Sequence, residues 1–424
     1  MEPRRAAAAV LAVSAAVLAL LAAVYRYTGF VEEWAVELPG YTVLCGVLGD
    51  RVYALRLPEP SGSAVLEARS TSDGSLQASL QLPRGLRVVD CGVLEDHHVV
   101  AVFASNWTAT PPYIQLLLVD PAGMAIEDAL RLPPPGWKGF GYSGFGGLEM
   151  DATYCSNTSY QAWLYVFPGS IAYTVNASLS EPDVLRIQMR VEDIVSRETL
   201  LELEGEAKLP PGAGIRCSSP QVEYMEDDRL VLYLPIGTRD TPWLLLDVDL
   251  ADRRVAAEPR RMLVAVIRME KPEEVAALQE ALGTDNPISI RAKTSRGGYT
   301  YVVATIMETG VMYHNPYGFA TFLTALDSQG RIAQVKVVPG RVCWRAVAAE
   351  DNTTMIVGLE HSLRAYRLEE PDRLPPRLYI VLSMLDAHMP LEPVPAAPAA
   401  AAAALALRGG RQRSRDRDTQ RQGG

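Results

Sequence analysis

The stretch LPGYTVLCGVLGD at residues 38–50 is echoed by DCGVLED at 90–96, and this echo constrains the fold more than any other feature of the chain. Self-similarity at a steady period means that one supersecondary unit is used several times. The five cysteines stand at 45, 91, 155, 217 and 343, and the last interval is about twice the one before it, as if one unit had lost its cysteine. Upstream of each comes the same punctuation: LPG at 38–40, LPRG at 82–85, LPPPG at 132–136, LPPG at 209–212 and VPG at 338–340. Proline cannot continue a ladder and glycine permits a sharp turn, so each marks the end of one strand and the passage to the next.

Downstream of each cysteine a polar turn leads into a β-branched or aromatic run: DRVYALRL, DHHVVAVF, SYQAWLYVF, DRLVLYLPI and TTMIVGL. The unit without cysteine keeps this shape in ISIRAKTSRGGYTYVVATI at 288–306. A third strand ends in aspartate (YIQLLLVD, WLLLDVD, FATFLTALD, LYIVLSMLD), and a fourth follows a tight turn such as SDGS, DPAG or DSQG. The pattern predicts four short strands per unit of roughly 60 residues, repeated six times over residues 33–388. The sixth unit, with VCWRAVAA at 342–349, TMIVGLE at 354–360 and LYIVLSMLD at 378–386, lacks a fourth strand, which WAVEL at 34–38 can supply.

This arrangement resembles the β-propellers, of quinoprotein-like or tryptophan-aspartate-repeat-like architecture. The resemblance implies an all-β fold class: a six-bladed β-propeller closed by its N-terminal strand. No tryptophan-aspartate repeat, Asp-box or quinoprotein signature occurs, so the resemblance is one of architecture. It also implies two faces, one of tight turns and one of variable connections, the latter suited to binding. In such a ring the cysteines of neighbouring blades stand too far apart to bridge, so mostly free, buried thiols are expected.

Residues 6–24, AAAAVLAVSAAVLALLAAV, carry no charge and follow the basic MEPRR, while Glu32 and Glu33 come after. Nineteen residues at about 1.5 Å each just cross a hydrocarbon layer. The reading is a cytoplasmic stretch at 1–5 and an N-terminal transmembrane helix or signal peptide at 6–27, with the membrane as partner and the bulk of a single-pass protein extracellular. Four of the six asparagines lie in N-x-[ST] sequons, Asn106, Asn157, Asn176 and Asn352, which predicts a glycoprotein with all four in connections between strands. Residues 389–424 are low-complexity, alanine-proline and then arginine-rich, and read as disordered, with a second span over 393–407 as the alternative.

The net charge of −10 disfavours nucleic acid as a partner. GWKGFGYSGFGG at 136–147 contains a literal G-x-G-x-x-G, but no strand–helix context for a dinucleotide is expected, and no cofactor or metal is predicted. The segment instead offers an aromatic surface from Trp137, Phe140, Tyr142 and Phe145, to which Trp107, Tyr313, His314 and Tyr317 from other connections are added as candidate binding residues. KPEEVAALQEALG at 271–283 reads as a short amphipathic helix with Val275, Leu278 and Leu282 on one face. The functional expectation is a binding or scaffold module of the cell envelope, for another envelope protein or a glycan. The alternatives are a propeller hydrolase or quinone-dependent sugar dehydrogenase with its site at the channel mouth, and a structural surface-layer component.

Overall fold

The computed structural model describes residues 13, 16, 17 and 30–371, except 58–62, 85, 107–112, 135–136, 138–140, 144–147, 168, 182, 227–228, 261–274, 277, 281–287, 307–319, 340–342 and 360. The chain is all-β. After β1 (Phe30–Glu37), sheet I consists of β2 (Tyr41–Leu48), β3 (Arg51–Leu57), β4 (Val65–Ser70) and β5 (Leu76–Gln81). Sheet II consists of β6 (Arg87–Leu94), β7 (Val99–Asn106), β8 (Tyr113–Asp120) and β9 (Ala125–Leu132). Sheet III has six strands, β10 (Gly141–Ser143), β11 (Leu148–Cys155), β12 (Ser159–Phe167), β13 (Ile171–Glu181), β14 (Val184–Asp193) and β15 (Thr199–Lys208). The two-residue β16 (Gly214–Ile215) leads to β17 (Gln221–Glu226) and β18 (Arg229–Leu234) and pairs with β19 (Ile236–Gly237). With β20 (Trp243–Asp249) and β21 (Arg254–Arg260), β17 and β18 form sheet IV. Sheet V is β22 (Ile288–Arg296), β23 (Tyr299–Ile306), β24 (Ala320–Leu326) and β25 (Ile332–Pro339). Sheet VI joins β26 (Cys343–Ala348), β27 (Thr354–Leu359) and β28 (Ser362–Leu368) to β1, in the order β1-β28-β27-β26.

Side-chain periodicity explains the order within a sheet. Second strands are covered on both faces and are apolar almost throughout, as in β18 and β27. Outer strands alternate because one face meets solvent, as in β14, β15 and β21. Aspartates close the turns before outer strands: Asp120 accepts the N–H groups of Ala122 and Gly123, and Asp327 those of Gln329 and Arg331.

Sheets pack face to face in chain order. One core joins sheets I and II through Val43, Tyr53, Val100 and Leu117, and a second joins II and III through Phe103, Leu116, Trp163 and Tyr165. A third joins III and IV, a fourth V and VI, and a fifth, through Trp34, Leu44, Val52 and Ile356, joins VI to I. No core cluster of the described residues joins IV to V. Among the described residues each sheet has two open edges, and none closes on itself.

Several expectations are therefore corrected. The closed six-bladed propeller and its resemblance give way to a set of open sheets, because a four-strand repeat specifies a sheet and leaves its closure with other sheets unspecified. Sheet III, with six strands, also breaks the equality of the units. The envelope scaffold acting through a loop face, the channel-mouth enzyme and the surface-layer component rested on that ring and fall with it. Among the described residues no helix is long and apolar enough to cross a membrane, so the anchor, the single-pass topology and the membrane as partner are withdrawn. An apolar run permits a span without specifying one, and residues 6–24 lie outside the described residues apart from Val13, Ala16 and Val17. The third strand of sheet VI is Ser362–Leu368, whereas 378–386 lies outside the described residues. SLRAYRL lacks the apolar run of other third strands but complements the acidic β1: Arg364 reaches Glu32 at 3.1 Å, and Arg367 reaches Glu33 at 3.6 Å.

Strand β1 brings the two ends of the described chain together. It runs antiparallel to β28 from Phe30 opposite Leu368 to Glu37 opposite Ser362. Trp34, 8% exposed, fills the seam between sheets VI and I, and its Nε1 donates to the Thr71 carbonyl at 2.8 Å. Gly74, at φ +70°, lies flat beneath it; a Cβ there would come within 2.8 Å of the indole ring. Replacing a buried tryptophan with alanine typically costs about 3–5 kcal/mol. Trp34→Ala is predicted to lower urea-unfolding stability by about that much, and a loss below about 1 kcal/mol would show that β1 is not integral to the fold.

Candidate functional site

The first strands of neighbouring sheets, β2, β6 and β26, pack against one another, and their sequences show why they can. Gly46 follows Cys45 in β2 where a Cβ would meet Val93 Cγ2 of β6 at 2.8 Å. Gly358 of β27 is equally pressed, since a Cβ there would lie 2.5 Å from that of Leu44. This closeness permits the Cys45–Cys91 disulfide, with Cα atoms 4.8 Å apart. Cys155, at the end of β11, is bridged to Cys217, and Cys343 is the remaining, buried thiol. The expected free thiols are thus corrected for four of the five cysteines.

Arg345 of β26 reaches across this junction. Its Nη2 donates to Asp90 Oδ2 at 2.9 Å, its Nη1 to the Leu44 carbonyl at 3.4 Å and closely to the Cys91 carbonyl, and the guanidinium lies 6.0 Å from the centre of the Phe167 ring. Four sheets thus meet at one cation. Asp90 Oδ1 accepts the N–H of Cys91 at 2.7 Å. The Asp90 and Arg345 side chains keep 16% and 17% of their surface. Burial pushes the Asp90 carboxyl above its ordinary value, while Arg345 and the Cys91 N–H pull the other way. A cation and a carboxylate that hold each other and the surrounding carbonyls act as a clamp. Burial also pushes the Cys343 thiol up to about 12, which keeps it protonated and a poor nucleophile.

Two more polar contacts bind neighbouring segments. Asp151 of β11 accepts the Ser219 hydroxyl at 2.7 Å, and Tyr160 donates to the Ser218 carbonyl at 3.0 Å, so the segment after Cys217 is held to sheet III. Burial raises the Asp151 carboxyl, and the Ser219 bond lowers it. His97, at the end of a single helical turn at Glu95–His97, meets Asp193 of β14 at 2.7 Å and links sheets II and III. Burial would raise the Asp193 carboxyl, but the N–H of Ser196 and the side chains of His97 and Ser170 outweigh it and hold the group below its usual range. Among the described residues, no three His, Cys, Asp or Glu side chains stand as a metal-binding group.

Of the residues singled out in the sequence, Trp137 is half-buried and packs on the core between sheets II and III. Tyr142 lies in β10, opposite Met150 of β11. Trp107, Phe140, Phe145, Tyr313, His314 and Tyr317 lie outside the described residues. Asn157 is exposed in the turn between β11 and β12, and Asn352 is exposed at a turn with φ +54°, its Oδ1 accepting the Thr294 hydroxyl at 2.6 Å. Asn106 ends β7, and Asn176 lies within β13 between Gln161 and Gln188, which corrects the expectation that every sequon falls in a connection. Of the expected helix at 271–283, residues 275, 276 and 278–280 are helical, and Leu278, 1% exposed, belongs to the core of sheet V. Asp90, Arg345, Asp151 and Asp193 escaped the sequence reading. The first two carry a signal all the same: Arg345 is the one charge in β26, and Asp90 lies inside β6 among apolar residues.

Two predictions follow from these contacts. Removing one partner of a buried pair typically costs about 3–5 kcal/mol; in a double-mutant cycle read by urea unfolding, Arg345→Met and Asp90→Leu together are predicted to cost less than the sum of the single changes. Strict additivity would mean that the two groups do not act as a pair. Asp193, with its folded-state value depressed, contributes stability above the ordinary carboxylate value, and that contribution is lost as pH falls through the folded value. Asp193→Asn is therefore predicted to cost about 2 kcal/mol at pH 7, with the gap to wild type closing on acidification below about pH 3.9. A gap that does not change with pH would contradict this.

No protein-family model and no curated protein matches the chain. Among solved structures, a chain of a mitotic checkpoint complex is similar at 8% identity, with 80% of this chain and 95% of that chain covered and a TM-score of 0.34. A member of the duf4221 family from Bacteroides vulgatus is similar at 10% identity, with 81% and 98% covered and a TM-score of 0.35. At such TM-scores neither likeness carries an argument about this chain.

Proposed function

We propose that this protein is a recognition module that works in an oxidising environment and holds a protein partner through the aromatic segment at 137–145. The observation that carries the reading is the anchoring of this segment. Trp137, half-buried, packs against the core between sheets II and III, and β10 pairs with β11 from Gly141 opposite Asp151 to Ser143 opposite Glu149. A segment rich in glycine and aromatic residues is thus fastened at two points to the part of the fold braced by the Cys155–Cys217 bridge and the Asp151–Ser219 contact. Aromatic side chains on a rigid base are the usual anchors of protein interfaces, because they bury large areas at small entropic cost. Two disulfides in one chain support an oxidising setting, and the exposed sequon at Asn157 is the proposed glycosylation site that best fits it.

The test is site-specific photo-crosslinking from position 142 in the native host, followed by titration of the captured protein in purified form. The triple change Phe140→Ala/Tyr142→Ala/Phe145→Ala is predicted to weaken binding by about tenfold or more with the unfolding midpoint unchanged. Equal affinity of the triple variant and the wild type would overturn the reading.

A further inference from the structure

We propose that the outer edge of β15 is a strand-addition site for an extended peptide that alternates basic and β-branched residues. Sheet III carries two more strands than the four-stranded sheets, and β15 is the last of its order. Its ladder with β14 runs without interruption from Leu201 opposite Val191 to Lys208 opposite Val184. Among the described residues no strand pairs with its other side, and no backbone hydrogen bond outside the sheet involves Thr199–Lys208. An edge strand of this kind displays unpaired N–H and C=O groups that can template another strand.

The outer strands of the other sheets are blunted where β15 is not. β21 contains Pro259 and β25 ends in Pro339. β5 has six residues, the pairing of β1 is broken by a register shift between Glu32 and Trp34, and the ladder of β9 beyond its own register shift is short, from Asp128 to Leu132. β15 has ten residues, and its one register shift with β14 lies at the far end, between Val191 and Glu192. Proline, shortness and bulges are the ordinary means by which a protein closes an edge to strangers.

Charge decides what could be added. On the exposed face, β14 presents Arg186, Gln188 and Arg190, and β15 opposes them with Glu206, Glu204 and Glu202. Arg186 meets Glu206 at 3.2 Å, and Gln188 donates to Glu204 at 2.9 Å. A basic column is thus followed by an acidic one, and the next column outward is favoured if it is basic again, because opposite charges on adjacent strands attract and like charges repel. On the other face Leu203 and Ala207 are buried and Leu201 is half-buried, which favours β-branched residues at the alternate positions of the guest. A second copy of this chain fits poorly, since β15 set against its own copy would place glutamates beside glutamates.

The probe is a fluorescently labelled octapeptide of alternating lysine and valine, titrated by anisotropy into the full chain at about 0.15 M salt. Saturable binding is expected, weakened about tenfold or more when alternate amides of the peptide are N-methylated, which removes the edge hydrogen bonds and keeps the charge. The triple change Glu202→Lys/Glu204→Lys/Glu206→Lys should lose the lysine peptide and gain a glutamate–valine peptide in its place. Equal binding of the N-methylated peptide would reduce the effect to general electrostatics and overturn the proposal, as would no binding at all. Should the triple variant fail to fold by circular dichroism, Glu204→Lys alone and the N-methylated arm decide the matter.

Discussion

The guanidinium of Arg345 and the disulfide beside it set the terms on which the sheets can meet. Cys45 ties β2 to β6, Arg345 reaches from β26 to the Leu44 and Cys91 carbonyls of both strands, and Asp90 answers its charge at 2.9 Å. A buried ion pair adds little net stability against an apolar replacement, because each ion loses its hydration. What it adds here is position: donors fixed to particular carbonyls admit one register between strands that share no ladder. The disulfide acts on the unfolded chain, where closing a loop over a separation of 46 residues removes conformational freedom worth about 4 kcal/mol in the chain-entropy account.

From this junction outward the physical character of the strands changes in a graded way. Near it, glycines permit backbone approaches that no other residue could make, as at Gly46 against Val93. The second strands of sheets I, II and VI are apolar on both faces because a neighbouring sheet covers each. The outer strands alternate, and their exposed faces carry the arginines and glutamates that make the ion pairs of β14 and β15 and of β1 and β28. Exposed pairs of this kind contribute little to stability, of the order of 1 kcal/mol or less each. Their consequence lies in which strands can be added at an edge and which are repelled.

Much of this order can be read in the sequence, and the parts that cannot have physical causes. The punctuation LPG, LPRG, LPPG and VPG marks real strand ends, because proline and glycine act locally. The recurring Cys-Gly pair was legible as a repeat but not as a staple: whether Cys45 reaches Cys91 depends on how closely two strands of different sheets approach, and spacing along the chain does not contain that distance. The same gap explains the closed ring, which the strand count suggested and the open sheets do not show. β28 was missed because Arg364 and Arg367 interrupt the apolar residues of SLRAYRL, and the acidic β1 that answers them lies more than three hundred residues earlier. Asn176 was assigned to a connection because a sequon is a local motif, whereas its membership of β13 depends on Gln161 and Gln188 on either side. The clamp residues stood in plain view as charges inside apolar strands, but each has its partner in another sheet, 255 residues away along the chain.

Peptide mapping by mass spectrometry under non-reducing conditions tests the central claim most directly. The account predicts two bridged pairs, Cys45 with Cys91 and Cys155 with Cys217, and Cys343 recovered as a free thiol only after unfolding. Recovery of Cys45 and Cys91 as free thiols from the folded, unreduced protein, or a bridge from either of them to another cysteine, would contradict the junction on which the rest of the structure depends.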